Sequence, residues 1–305
     1  MSYAHLLPAS WKTAVTAWLQ EDCPSFDWGG FVVGDAARTA TLWCKSDGVL
    51  AGVPFVDAVF EQLGCRVEWF FPEGAVLGAA DSVDGTPAGR TKVRVAVVSG
   101  AARSLLLGER VALNTLARCS GVATASRAML DAARTAGYRG IVAGTRKTTP
   151  GFRLVEKYGM IVGGVDAHRY DLSSMVMLKD NHVWSTGSIS AAVATARRVA
   201  GFSLRIDVEV RTYEEAEEAV RAGADVVMLD NMDGDELVQN ARRLRERLGG
   251  EHRFLLESSG GITLQTLADG HVNNGACVLT AIDIVSTSAI HQSTQHVDYS
   301  LKIDH

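Results

Sequence analysis

The sequence has few cysteines, no surplus of basic residues and no long apolar run, and each of these absences argues against a class of protein. The five cysteines of the 305-residue chain are dispersed, and no two of them are spaced as Cys-x-x-Cys. A secreted disulfide framework and a zinc site are therefore disfavoured, and we expect a reducing compartment. The cysteines are Cys23, Cys44, Cys65, Cys119 and Cys277.

The charge balance and the hydropathy pattern restrict the partners and the location of the protein. Lys and Arg total 30 against 35 for Asp and Glu, which gives a formal net charge of −5. General nucleic-acid binders and anionic-membrane binders normally carry a basic surplus. The sequence also lacks the run of about 18 apolar residues that a membrane helix needs, and it has no signal peptide. We expect a cytoplasmic protein that binds neither nucleic acid nor membrane, with the nucleus left open as a second compartment.

The first hundred residues have the pattern of mixed α and β structure. Apolar residues at helical spacing predict an amphipathic helix that begins after Ser10. Further segments predict strands at 41–45, 67–71 and 93–98 and a helix at 55–63. The turn-rich segment 81–92 is interpreted as an exposed hairpin loop without a functional role. A long helical zone follows at 105–135, in which we expect a break near Ser120 and Gly121.

The rest of the chain alternates short β-rich segments with Ala-rich amphipathic segments, which is typical of βα units and a parallel sheet. At least six such units occur and no Gly-x-Gly-x-x-Gly motif follows a strand, so the pattern favours an α/β barrel over a doubly wound dinucleotide-binding sheet. The predicted strands are 140–143, 175–178, 204–210, 225–229, 253–256 and 282–285. The predicted helices are 189–199, 214–222, 235–247 and 264–268.

Charged residues follow these strands in an ordered way, at the ends where barrel enzymes hold their chemistry. The early strands are followed by cationic side chains, namely Arg146, Lys147, His168, Arg169 and Lys179. The middle strands carry Glu209 and Asp230. Several cations suit a small polyanion, and two carboxylates suit Mg²⁺ or sugar hydroxyls. The Ser-Ser-Gly-Gly turn at 258–261 offers backbone N–H groups to a phosphate.

Each of these features has an ordinary explanation when it is taken alone. Arg146 and Lys147 could be solvated loop charges, and Glu209 could form an ion pair with a barrel lysine. The turn at 259–261 could merely start a helix, and His182 could be structural. The occurrence of all of them at the same strand ends favours a functional site. We interpret the remaining histidines outside it as surface or packing residues: His252, His271, His291, His296 and His305.

Long motifs in the sequence closely resemble those of the quinolinate phosphoribosyltransferase family. They are GERVALNTLARCSG (108–121), GTRKTTPGFR (144–153), HRYD (168–171), LKDNH (178–182), the VEV segment with Glu209, LDN (229–231) and SSGGIT (258–263). The resemblance covers nearly the whole chain in the right order and spacing. The C-terminal segments STSAIHQ and DYSLK resemble the fungal members most.

This resemblance implies a reaction and an architecture. The reaction converts quinolinate and 5-phosphoribosyl-1-diphosphate into nicotinate mononucleotide, CO₂ and diphosphate, a decarboxylating pentosyl (glycosyl) transfer of de novo NAD biosynthesis. It implies Mg²⁺ and no organic cofactor. The implied fold is an N-terminal open-faced α/β sandwich (1–118, joined by 290–305) with an atypical α/β barrel (119–289) of the type II phosphoribosyltransferase kind. The implied assembly is a homodimer or homohexamer in which Arg110 reaches the neighbouring active site.

The resemblance also implies residue roles. Cationic residues would bind the two quinolinate carboxylates, supported by Thr145 and His168; they are Arg146, Lys147, Arg169, Lys179 and Arg110 of the neighbouring chain. Glu209 and Asp230 would hold ribose hydroxyls and Mg²⁺. Lys147 and Lys179 would contribute to catalysis through their positive charge, together with the carboxylates of Glu209 and Asp230. The turn Ser259, Gly260 and Gly261 would bind the 5-phosphate together with Ser288, which stands where many relatives have glycine.

Three rival functions remain. Nicotinate phosphoribosyltransferase binds a monoacid, so the surplus of cations argues against it. A Schiff-base aldolase would use Lys179 as nucleophile, but that lysine lacks an apolar niche for a neutral amine. A non-catalytic partner that kept the fold predicts decayed strand ends, whereas all the cationic and acidic positions are filled.

Overall fold

The computed structural model describes residues 2–83, 85–230, 232, 234–269 and 281–304. Contacts divide the chain into two compact units. Unit 1 comprises Met1–Arg127, Thr149–Gly164 and Ser293–His305, and unit 2 comprises Ala128–Thr148 and Val165–Gln292. Four residues named above lie outside the described residues: Asn231, His271, Cys277 and His305.

Unit 1 contains a four-stranded antiparallel sheet in the order β12-β1-β5-β3 and a two-stranded pair of β2 and β4. Its strands are β1 (Ala37–Cys44), β2 (Gly48–Val49), β3 (Arg66–Trp69), β4 (Val76–Leu77), β5 (Val93–Ala101) and β12 (Tyr299–Ile303). Its helices are α1 (Trp11–Asp22), α2 (Trp28–Val33), α3 (Val53–Gln62), the first part of α4 (Ala102–Thr135) and α5 (Arg153–Gly163). The strands predicted at 41–45, 67–71 and 93–98 are confirmed as β1, β3 and β5.

Aromatic packing and a buried carboxylate organise the core of unit 1. Phe55 of α3 is fully buried, and its ring lies 5.6 Å from that of Trp11 and 5.4 Å from that of Tyr158. Glu73 accepts hydrogen bonds from the N–H groups of Gly52 and Val53, so it caps the start of α3. Burial raises the pKa of Glu73, and its second oxygen accepts from the Tyr158 hydroxyl.

The break that the sequence predicted in the long helix is wrong, because α4 is continuous from Ala102 to Thr135. Gly121 lies where a Cβ atom would come within 2.3 Å of the Gln295 carbonyl oxygen, so glycine there permits close packing. The Ser120 hydroxyl contacts the backbone N–H and carbonyl of Ala51. Both residues are explained by tertiary contacts, and neither interrupts the helix.

Unit 2 is built on six parallel strands in the order β6-β11-β10-β9-β8-β7. They are β6 (Ile141–Ala143), β7 (Val176–Leu178), β8 (Ile206–Val210), β9 (Val226–Asp230), β10 (Leu255–Ser259) and β11 (Ile284–Ser286). The helices are α6 (Asp180–Thr186), α7 (Ile189–Ala200), α8 (Tyr213–Arg221), α9 (Gly234–Leu248) and α10 (Leu264–Asp269). All six strands and four helices predicted for this region are thereby confirmed, with shifted ends.

The first strand of unit 2 pairs with the last, which distinguishes a barrel from a doubly wound sheet. β6 pairs with β11, and beyond β6 an isolated parallel bridge joins Ala143 to Asp166. This bridge extends the sheet on the side where β7 would close it. The predicted α/β barrel is confirmed in this atypical form. Among the described residues, no helix combines the length and apolar character needed to cross a membrane.

A buried ion pair ties α4 to α5 within unit 1. The Glu156 side chain is fully buried and that of Arg118 is 14% exposed. One Glu156 oxygen accepts from Arg118 Nε and Nη2 at 3.0 and 2.9 Å and from Thr149 Oγ1 at 2.7 Å. Arg118 Nη1 also donates to the Thr294 carbonyl at 3.2 Å. Removal of either partner would leave a charge out of water without its counter-charge.

We therefore predict that Glu156→Ala lowers the free energy of unfolding by about 3–5 kcal/mol, because Arg118 stays buried without its carboxylate. Glu61→Ala is the matched control. It breaks the solvent-exposed pair with Lys12, which should cost about 1 kcal/mol or less. Urea unfolding of both variants measures the difference. Equal losses from the two variants would contradict the prediction.

Candidate active site

The strand register brings the polar residues of unit 2 onto common levels of the sheet. Glu209 is level with Met228, which is level with Glu257 on β10. Two residues further along the strands, Asp230 is level with Ser259. Side chains two residues apart on a strand point to the same face, so Asp207 shares the face of Glu209, and Ser259 shares that of Glu257. The carboxyl ends of the middle strands thus present acidic and hydroxyl groups side by side.

Lys179 and Glu209 form an ion pair across neighbouring strands, as one ordinary reading of the sequence predicted. The Lys179 amine donates to Glu209 Oε2, and the two side chains are 44% and 11% exposed. Lys179 lies at the end of β7, and its backbone N–H donates to Nδ1 of His182 at 3.1 Å. His182 therefore has a structural contact at the start of α6.

The loop after β6 presents Arg146 and Lys147 to solvent. The Thr145 hydroxyl accepts from the Lys147 N–H at 3.1 Å and contacts Nε2 of His291 at 3.1 Å. His291 is 1% exposed, which agrees with the packing role predicted for it. Its contact with Thr145 also supports this loop. A periodicity argument could not detect that contact, because it joins residues far apart in the chain.

The positive charge of Arg146 acts on Arg169. Burial and then the charge of Arg146 lower the pKa of the Arg169 guanidinium, whereas Asp207 and Glu257 act in the opposite direction. Two guanidinium groups close together form a site for an anion that can engage both.

Asp207 and Glu257 are acidic residues of this site that the sequence analysis did not select. Asp207 is fully buried and Glu257 is 1% exposed. Burial, followed by the charge of Glu257, raises the pKa of Asp207 well above its usual range. Neither carboxylate oxygen of Asp207 has a hydrogen-bond partner among the described residues. The alternation of Asp207 with Glu209, and of Glu257 with Ser259, was the available signal, since each pair shares one face of a strand.

His168 connects the cationic loop to the buried acids. Its Nε2 lies 3.2 and 3.3 Å from the two carboxylate oxygens of Glu257. Its backbone N–H donates to Asp166 Oδ1 at 2.6 Å, and its Nδ1 accepts from the Arg169 N–H at 2.7 Å. The Ser286 hydroxyl donates to the same Glu257 oxygen that is closest to His168. Ligand atoms of His168, Asp207 and Glu257 all lie within 4.8 Å of one another.

Two consecutive glycines form the turn after β10. Gly260 and Gly261 both have positive φ values, 105° and 62°, a conformation that favours glycine. Ser259 ends β10, and α10 starts at Leu264. Ser288 follows β11, where its carbonyl accepts from the N–H groups of His291 and Gln292. Arg110 is exposed on α4 and belongs to unit 1.

Comparisons with known proteins agree with the motifs. The model of the C-terminal domain of quinolinate phosphoribosyl transferase matches residues 122–302, and that of its N-terminal domain matches residues 25–120. The chain belongs to the quinolinate phosphoribosyltransferase family. It is 48% identical to nicotinate-nucleotide pyrophosphorylase (carboxylating) of Rattus norvegicus over 298 residues, which cover 98% of this chain and 92% of that one. It is 42% identical to the enzyme of the same name from Dictyostelium discoideum, covering 99% of each chain.

Solved structures of the family support the same fold. The structure of NadC from Streptococcus pyogenes matches with a TM-score of 0.82 and 34% identity, covering 98% of this chain and 99% of that one. The fold expected from the resemblance, a barrel with an N-terminal sandwich, is confirmed.

We predict that Asp207→Asn changes how stability depends on pH. In the unfolded chain Asp207 ionises near its usual pKa of about 3.9, whereas the folded protein holds the proton to higher pH. Wild-type stability therefore falls as pH rises from the unfolded pKa towards the folded pKa. The asparagine variant lacks this loss, so its stability relative to wild type should grow by up to about 1.4 kcal/mol per pH unit across that window.

Urea unfolding between pH 4 and pH 8 measures this difference. Asp131→Asn, at an exposed position on α4, is the control and should follow the wild-type curve. A constant offset between Asp207→Asn and wild type at every pH would contradict the prediction.

Proposed function

We propose that this protein transfers the phosphoribosyl group of 5-phosphoribosyl-1-diphosphate to quinolinate and releases CO₂ and diphosphate, which yields nicotinate mononucleotide for NAD biosynthesis. The observation that carries the proposal is the match of the chain to both domains of the family, together with two arginines of unit 2, Arg146 and Arg169, whose charges interact. Guanidinium groups bind carboxylates through paired hydrogen bonds, so two of them suit an anion with two neighbouring carboxylates better than a monoacid.

Quinolinate is a dianion, and the proposed binding residues supply the matching charge. Arg146 and Arg169 would each bind a carboxylate, with Lys147 and Lys179 adding positive potential and Thr145 and His168 supporting the shell. Lys179 is paired with Glu209, which supports an electrostatic role for the ammonium group and argues against a Schiff-base nucleophile, which must be a neutral amine.

The ribosyl donor would react at the other side of the same strand ends. As diphosphate leaves C1, positive charge develops on the ribose ring, and Glu209 and Asp230 would stabilise it and hold the ribose hydroxyls. Ser259, Gly260 and Gly261 would bind the 5-phosphate through the N–H groups of the left-handed turn. Ser288 would add a hydroxyl and a backbone N–H to this phosphate loop.

Decarboxylation follows from the bond that is formed. The pyridine nitrogen attacks C1 of the ribose as the bond to diphosphate breaks, so the ring becomes cationic. The C–C bond to the adjacent carboxylate then breaks, its electron pair stays on the ring as a stabilised ylide, and a proton completes the product. The pyridinium is its own electron sink, and no organic cofactor is needed.

Mg²⁺ belongs to the proposal as the companion of the diphosphate donor. Carboxylate oxygens are ligands that Mg²⁺ prefers, and Asp230 ends β9 level with Ser259 of the phosphate turn. Asp230 and Glu209 would hold the ion directly or through water, and when bound it neutralises charge on the leaving diphosphate. Glu209 is also paired with Lys179, so an ion held there would share this carboxylate with the ammonium group.

The assembly, the domain bounds and the location are also proposals. In a homodimer or homohexamer, the exposed Arg110 would supply a further cation to the neighbouring chain's site. The functional domains would be a sandwich of 1–118 with 290–305 and a barrel of 119–289. The cytoplasm would be the main compartment.

The first experiment is an assay of the purified protein with phosphoribosyl diphosphate, Mg²⁺ and either quinolinate or nicotinate. We expect nucleotide and equimolar CO₂ from quinolinate and no nucleotide from nicotinate. Product from nicotinate alone would mean that the cations bind something other than a second carboxylate. No product from either acid would contradict the proposed function.

Two substitutions separate the proposed roles. Arg146→Ala should raise the KM for quinolinate about 10- to 100-fold, because it removes a charged hydrogen bond to a carboxylate. Asp230→Ala should mainly lower kcat, by about 100-fold, because it removes charge facing the transition state. Arg198→Ala, at an exposed position on α7, is the control. Similar small effects from the first two variants would contradict this division of roles.

A further inference from the structure

His168 has a backbone conformation that is uncommon for any residue other than glycine. Its φ is 57°, and Ser293 is the only other non-glycine residue with positive φ in the described part of the chain. A side chain in this left-handed region costs about 1–2 kcal/mol, so the conformation persists only where the surroundings hold it. His168 directly precedes Arg169, whose charge interacts with that of Arg146.

Three hydrogen bonds hold this turn, and one of them comes from the sheet interior. Asp166 accepts the His168 N–H at 2.6 Å, while its own backbone pairs with Val142 and Gly144 of the β6 region. The imidazole Nδ1 accepts the Arg169 N–H at 2.7 Å. On the opposite side of the ring, Nε2 faces both oxygens of Glu257. The ring thus links the Arg169 backbone to a carboxylate on β10.

The contacts fix which ring nitrogen carries the proton. Because Nδ1 accepts the Arg169 N–H, the proton lies on Nε2, which donates to Glu257. A protonated Nε2 cannot ligate a metal ion, so this geometry argues against a cation between His168, Asp207 and Glu257. Ser286, which is 2% exposed, donates to Glu257 and orients its carboxylate.

We propose that Glu257 is a positioning residue for quinolinate binding: by accepting the Nε2 proton of His168, it holds the left-handed His168–Arg169 turn and so aims Arg169 at a substrate carboxylate. The negative charge of Glu257 also stabilises the positive charge of Arg169. The structural requirement is nevertheless the hydrogen bond to His168, since charge alone does not select a turn conformation. This inference rests on the proposed function for its kinetic consequences, but its geometric part stands without it.

The kinetic test compares four variants. Glu257→Ala and His168→Ala should each raise the KM for quinolinate about tenfold or more, the size of a lost hydrogen bond to a charged group. The KM for phosphoribosyl diphosphate should stay within about twofold of wild type. Glu257→Gln keeps an oxygen that accepts from both His168 and Ser286, so its quinolinate KM should stay within about threefold. Glu246→Ala, at an exposed position on α9, is the matched control.

A double-mutant cycle shows whether Glu257 acts through His168. The variant with both residues changed to alanine should bind quinolinate no more weakly than His168→Ala alone, because the positioned group is already missing. Additive effects would overturn the proposal. So would a quinolinate KM for Glu257→Gln as high as that for Glu257→Ala, because charge and not the hydrogen bond would then be decisive. If Glu257→Ala fails to fold, Ser286→Ala takes its place and should give a smaller selective rise in the quinolinate KM.

A measurement that needs no activity separates this inference from the proposed function. The ¹⁵N spectrum of the His168 ring should show an unprotonated Nδ1 and a protonated Nε2 in wild type and in Glu257→Gln. Ser286→Ala should weaken this preference. A protonated Nδ1 in wild type would overturn the inference even if the enzyme converts quinolinate. If the protein shows the expected tautomer but does not convert quinolinate, the geometric part of the inference holds and the proposed function is contradicted.

Discussion

The cost of removing charge from water is the constraint on which the arrangement of unit 2 depends. Several cations and four carboxylates lie near the carboxyl ends of its parallel strands, and each ion there must find a counter-charge, a hydrogen bond or a proton. Glu209 is paired with Lys179, and Glu257 accepts from His168 and Ser286. Asp207 has no hydrogen-bond partner among the described residues, and burial followed by the charge of Glu257 raises its pKa.

The cationic loop after β6 is more exposed to solvent than the acids on the strands. Arg146 is exposed and Arg169 is half-buried, and after burial the charge of Arg146 lowers the pKa of the Arg169 guanidinium. In the proposed function, a dianion bound by both guanidinium groups would offset this repulsion. The pair would then discriminate between one carboxylate and two, because a ligand is selected by what it leaves unpaired as well as by what it contacts.

The strand–helix alternation and the strand-end charges could be predicted from the sequence, since both depend on local pattern. The barrel could be predicted from the number of βα units, and the pairing of β6 with β11 agrees with that prediction. Contacts between distant residues could not be predicted in this way. The continuity of α4 depends on Gly121 packing against Gln295, and a glycine within a helical pattern indicates a break when its packing partner is unknown.

Asp207 and Glu257 were missed for a different physical reason. A carboxylate inside an apolar strand resembles a structural ion pair, and its function becomes visible only when the neighbouring strands are in register. Glu257 is level with Met228 and Ile284, but its partner His168 comes from a turn that precedes β7. The left-handed conformation of His168 could not be predicted from its residue type or from the residues next to it in the sequence. A residue that positions another is therefore harder to find than a residue that binds substrate, because its chemistry is satisfied inside the protein.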